Sequence, residues 1–130
     1  MRIRTDRWLQ EIYRTMNFRF FDGRLQLPAI RVTFASAKEM GKCDGMFVRS
    51  KGEIKIHKDF AKHESMCVIT LLHEMCHLAI HENGYMGADP TDDHYMLFYN
   101  EIARLWRLGA YETILIIPLL LTLLLFKGIC

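Results

Sequence analysis

LLHEMCHLAIH, residues 71–81, decides how the rest of the chain is read. No proline or glycine interrupts the sequence from Glu64 to Asn83, and apolar residues cover most faces, so the spacing predicts a long, largely buried helix. His73 and His77 lie one turn apart on one face of such a helix, where both imidazoles can be directed at a single point. Glu74 is rotated by about 100° from His73, so its carboxylate can reach a water held by a metal without being a ligand itself. This is the H-E-x-x-H arrangement of a hydrolase: the metal acidifies a water, the carboxylate takes the proton, and a carbonyl is attacked. The alternative is an ordinary core helix with satisfied polar residues. Burying two imidazoles and a carboxylate without partners is costly, and that cost favours the metal reading.

A catalytic zinc takes a third protein ligand and keeps one position open. His81 is a further turn along, about 12 Å from His73 by helical rise, whereas two ligands of one zinc sit within about 3.5 Å of each other. His81 is therefore read as a residue outside the ligand set. Ile80 and Asn83 stand where an extended H-E-x-x-H-x-x-G-x-x-H motif has its glycine and third histidine, which excludes a metzincin. His94 and Glu101 remain. They are seven residues apart on one face of a later helix, and either could reach back to the metal.

Outward from this helix, the sequence predicts an α+β chain. Residues 5–17 (TDRWLQEIYRTMN) form an amphipathic helix behind a Thr5/Asp6 cap. FDGRLQLP supplies an Asp-Gly turn and an extended approach through Pro28, and AIRVTFA (29–35) reads as a strand. AKEMGKCDG reads as loop, and MFVRS and EIKIH flank Lys51-Gly52 as a hairpin with Ile54 and Ile56 on one side. ENGYMGADPTDD is a loop leading to a helix capped near Thr91 or Asp92 that runs to about Arg107 and stops at Gly109. The expected architecture is a small sheet of about three strands, packed on the N-terminal helix and the central H-E-x-x-H helix and followed by one further helix.

The 130 residues, 51% apolar and 25% charged, suit one globular domain and exclude a disordered chain. MRIRTDRW contains no apolar run, which points to the cytoplasm. Cys43, Cys67, Cys76 and Cys130 include no C-x-x-C pair, so they are expected as reduced thiols rather than a zinc ribbon. Residues 1–60 carry 13 Lys/Arg against 7 Asp/Glu (net +6), and residues 61–130 carry 4 against 8 (net −4). The basic half is a candidate contact for DNA, set against the plainer reading of a solvated mixed surface.

Taken together, NFRFFDGRL (17–25), the hairpin strand EIKIH, LLHEMCHLAI and DDHYMLF, in that order, resemble the SprT-like zinc metallopeptidase domain, the family that includes the Spartan proteases. The resemblance covers roughly residues 8–113. It implies a zincin-like fold, His73, His77 and His94 as ligands of Zn2+, Glu74 as general base, and a protein or peptide substrate. In the best-known members that substrate is protein trapped on DNA. The four-cysteine ribbon of many members has no counterpart here, and Asp93 and Tyr95 flank His94 where a glycine is often found. Tyr85, Tyr95 and Tyr99 are candidate oxyanion donors, against a packing role for each.

The division expected is a metallopeptidase domain, 1–113, and a hydrophobic tail, 114–130. ILIIPLLLTLLLF (114–126) has no charge over 13 residues, which is short of the roughly 20 that span a membrane. Core packing or partner contact is expected of it, with membrane association as the alternative. The rival functional readings are an amide hydrolase using Glu101 as third ligand, and a non-catalytic, zinc-stabilised nucleic-acid-binding module.

Overall fold

The computed structural model describes residues 3–25, 30–82, 93–111 and 130; the side chains of 93–95 lie outside that description. Among the described residues the fold is α+β: a mixed three-stranded sheet and four helices. The expected loop 83–92 with its cap, Pro28, and the tail 114–126 all fall outside the described residues.

Helix α1 (Asp6–Phe20) starts where the Thr5 hydroxyl accepts the Trp8 N–H, and buries Leu9, Tyr13, Met16 and Phe20 along one stripe. It runs three residues past the expected end. Asp22 and Gly23, both at positive φ, then turn the chain. Asn17 holds that turn: its side chain accepts the Leu25 N–H at 3.1 Å, and its backbone carbonyl accepts from Phe21 and Gly23.

Strand β1 (Arg31–Ala35) follows. The expected loop after it contains a one-turn helix, α2 (Ala37–Met40), because the Ser36 hydroxyl caps Glu39 N–H and the apolar Met40 is buried beneath it. Strands β2 (Gly45–Val48) and β3 (Glu53–His57) form the expected antiparallel hairpin, joined by a 3-10 turn at Arg49–Lys51 and by Gly52 in the left-handed region. β3 is central, parallel to β1 on one side and antiparallel to β2 on the other. Ile54 and Ile56 are both fully buried on the face that meets α3.

The two sheet edges differ. Outward N–H groups of β1 are taken by α1 side chains: Val32 donates to Gln10 Oε1 (3.0 Å) and Phe34 to Asp6 Oδ1 (2.8 Å). β2 is the other edge strand, and its Phe47 backbone N–H is directed toward the Glu74 carboxylate of the following helix.

Helix α3 (Glu64–Glu82) buries an unbroken run from Cys67 to Cys76, as expected of a helix apolar on nearly every side. It packs on β2, β3, α1 and α4 (Asp93–Arg107). α4 ends in a Schellman motif: Gly109 N–H bonds the Trp106 carbonyl, Ala110 N–H bonds that of Leu105, and Leu105 and Ala110 are both buried. Arg104 ties α4 to α1 by donating to the Phe20 carbonyl, lying over the Phe21 ring and pairing with Glu101.

The cysteines need a correction. Cys67 and Cys76 are free and buried, but Cys43 and Cys130 form a disulfide. They are 87 positions apart, and only the tertiary fold brings their Cα atoms to 5.3 Å; no spacing rule could reveal it. Among the described residues no helix is long and apolar enough to cross a membrane.

Candidate metal centre

His73, Glu74 and His77 each offer a ligand-type atom, and these atoms lie within 4.8 Å of one another. The α3 helix alone produces that convergence, through the one-turn spacing of the histidines and the single-residue step to Glu74. The two imidazoles stand 5.1 Å apart by centroid, with planes at 67°. From α4, Phe98 packs against both, 4.6 Å from His73 and 4.5 Å from His77, nearly parallel to the latter. One aromatic ring thus limits the rotation of two imidazoles.

His73 is buried, and its pKa is pushed down to about 3, first by burial and then by the neighbouring His77. It is neutral at ordinary pH, the form that coordinates a metal. Glu74 is fully buried, and burial raises its pKa to about 8 while the Phe47 backbone N–H, close by in β2, pulls it down. Neither carboxylate oxygen completes a well-formed hydrogen bond among the described residues. A carboxylate held this way is unfavourable unless a cation or a proton meets it. The donor set, two imidazoles and a buried carboxylate converging on one point, fits a divalent metal ion.

Gly45 in β2 makes this geometry possible. A Cβ there would collide with Thr70 Cγ2 and lie 3.4 Å from Glu74 Cγ, so only glycine lets the strand come this close to the helix. The sequence reading missed both Gly45 and Thr70. Gly45 closes the stretch AKEMGKCDG that reads as loop, so the sequence gives no sign that it begins β2 against a helix.

Other candidate residues are separated from the cluster. The Glu101 carboxylate is engaged by Arg104, 2.9 Å away, and does not join the three converging donors. His81 sits edge-on to Phe47, 5.6 Å by centroid, and is also outside that group. Tyr99 is exposed beside Phe98. His94 and Asp93 lie in the first turn of α4, while the side chains of His94 and Tyr95, and all of Tyr85, are outside the described residues.

No curated protein and no solved structure matches the chain. The model of the SprT-like family matches residues 9–102, a span that runs from α1 through the hairpin and the His-Glu-His helix into α4. The chain therefore belongs to the SprT-like family.

Proposed function

We propose that the protein is a zinc-dependent peptidase in which His73, His77 and His94 hold the metal and Glu74 is the general base. The observation that carries this reading is the buried Glu74 carboxylate, without a well-formed hydrogen bond among the described residues and converging with two histidine donors. A structural carboxylate in a core has its hydrogen-bonding groups satisfied, so the state of Glu74 favours a reactive site over a packing one. His94 is supported by periodicity. It precedes Phe98 by one helical turn and shares its face of α4, and Phe98 lies on both imidazoles of the pair.

Zinc at this point would polarise the scissile carbonyl and acidify the attacking water. Glu74 would accept the proton of the attacking water and deliver it to the leaving amine nitrogen, a role that requires the charge of the bound metal to lower its pKa from the metal-free value of about 8. The substrate is proposed to add as an extended strand along the β2 edge of the sheet, the strand that packs on the helix bearing His73, Glu74 and His77. Main-chain pairing of that kind tolerates many side chains but requires an unfolded stretch. Loosely folded proteins should be cut and compact ones spared.

The test is cleavage of a denatured protein by the wild type and by Glu74→Gln, with metal content measured alongside. The variant should keep the metal and lose at least about a thousandfold in turnover. Undiminished cleavage by Glu74→Gln would refute the assignment. Repeating the assay with DNA present tests whether the basic N-terminal half contributes a nucleic-acid contact.

A further inference from the structure

The disulfide between Cys43 and Cys130 closes a covalent ring around β2, β3, α3 and α4. His73, Glu74, His77 and His94 all lie within that ring, and α1 and β1 lie outside it. The remaining thiols are chemically quiet. Cys67 and Cys76 are both buried away from any incoming thiol, and burial raises the pKa of Cys67 to about 12. Since the thiolate is the reactive form, exchange chemistry falls to the other pair. Cys43 is half-buried and Cys130 is exposed, so an incoming thiolate can approach from the Cys130 side.

Cys43 also stands at a sensitive place. It is two residues before Gly45, where β2 comes so close to α3 that a Cβ would strike Thr70 and touch Glu74. The short link between them is fixed: Cys43 N–H bonds the Met40 carbonyl at 3.0 Å, and the Asp44 carbonyl accepts the His57 N–H at 2.8 Å. A restraint on Cys43 is therefore passed to Gly45 with little slack.

We propose that Cys43–Cys130 is a reversible thiol–disulfide exchange site, serving a dithiol/disulfide couple, and that its state sets how firmly β2 is held against the metal-site helix. In the reducing direction, one thiolate of a dithiol attacks Cys130 Sγ, and Cys43 leaves as a thiolate and is protonated. The second thiol of the reductant then attacks the mixed disulfide and releases the Cys130 thiol. Two electrons pass to the protein, and the dithiol becomes a disulfide; the reverse exchange restores the bond. Closing so long a loop removes much of the unfolded chain's freedom, so the oxidised form is the more stable one. The consequence for metal retention rests on the function proposed above, whereas the redox and stability consequences do not.

The full chain is to be equilibrated with reduced and oxidised dithiothreitol at a series of ratios. Three quantities are read: thiols alkylated in denaturant, Tm of the metal-free protein, and the rate at which a chelator strips zinc. The oxidised protein should show two reactive thiols and the reduced protein four. Reduction should lower Tm by about 10 °C and speed zinc loss at least about tenfold. Cys43→Ser and Cys130→Ser should each fix Tm at the reduced value in every buffer. Four reactive thiols under oxidising conditions, a Tm that ignores the ratio, or a Cys43→Ser variant that still responds to it would each overturn the proposal. If zinc never binds while thiol count and Tm respond as stated, the metal reading fails and the exchange site stands.

Discussion

Phe98 of α4 stacks on His77 of α3, with ring centroids 4.5 Å apart and planes 27° from parallel. The same ring lies 4.6 Å from His73. A residue outside the converging group thus limits the orientation of two candidate ligands, and the packing of α3 on α4 is part of the candidate metal site rather than its background.

Phe98→Ala should therefore weaken metal binding by about 10- to 100-fold while far-UV circular dichroism stays that of the wild type. Competition with a chromophoric chelator measures the affinity. Phe98→Leu, which keeps apolar bulk but not the flat face, should fall between. An affinity unchanged in Phe98→Ala would show that the histidines are oriented by other contacts.

Gly45→Ala should destabilise the protein by about 1–3 kcal/mol, because the new methyl group meets Thr70 Cγ2. Thr70→Ser removes that methyl group, so the double variant should recover most of the loss. Urea unfolding of the four proteins gives the coupling directly. Additive losses would mean that the strain lies elsewhere, with Glu74 Cγ as the next neighbour.

The metal-free protein should have a distinctive pH profile. Folded Glu74 keeps its proton up to about 8, against an ordinary value of 4.5, so between these values the folded state binds more protons and stability falls as pH rises. His73 acts in the opposite sense lower down. Its folded pKa of about 3 lies below the ordinary 6.5, so across that interval stability rises with pH. The sum is a plateau from 4.5 to 6.5 and a decline from 6.5 toward 8. Thermal melts in chelator should show that decline in the wild type and lose it in Glu74→Gln.

Glu101→Gln should retain the metal, since its carboxylate is engaged by Arg104 and stands apart from the converging donors. The partly buried ion pair is worth about 1 kcal/mol, so a small drop in stability is the only expected effect. Loss of metal from this variant would restore Glu101 as a ligand.

Much of this was legible in the sequence, for reasons that differ by element. α3 could be read because nothing breaks it and its apolar residues leave no solvent face, and the three converging donors follow from helical spacing alone. β1 and β3 showed as β-rich alternation, and Ile54 and Ile56 share a face as that pattern requires. The one-turn α2 was hidden because a four-residue helix has no period to detect and depends on the Ser36 cap. Gly45 against Thr70, Asp6 and Gln10 closing the β1 edge, and Cys43 beside Cys130 are meetings of residues distant in sequence. Local patterns carry no information about them. The α1 overrun to Phe20 has a local cause that the pattern did not weigh: Asn17 stays helical while its side chain serves the turn beyond.

The most direct test of the account is the zinc content of purified protein, measured by elemental analysis for the wild type, His73→Ala, His77→Ala and His94→Ala. One zinc per chain in the wild type and essentially none in each variant is the predicted result. A wild type that takes up no zinc, or a His94→Ala variant that keeps a full equivalent, would contradict it.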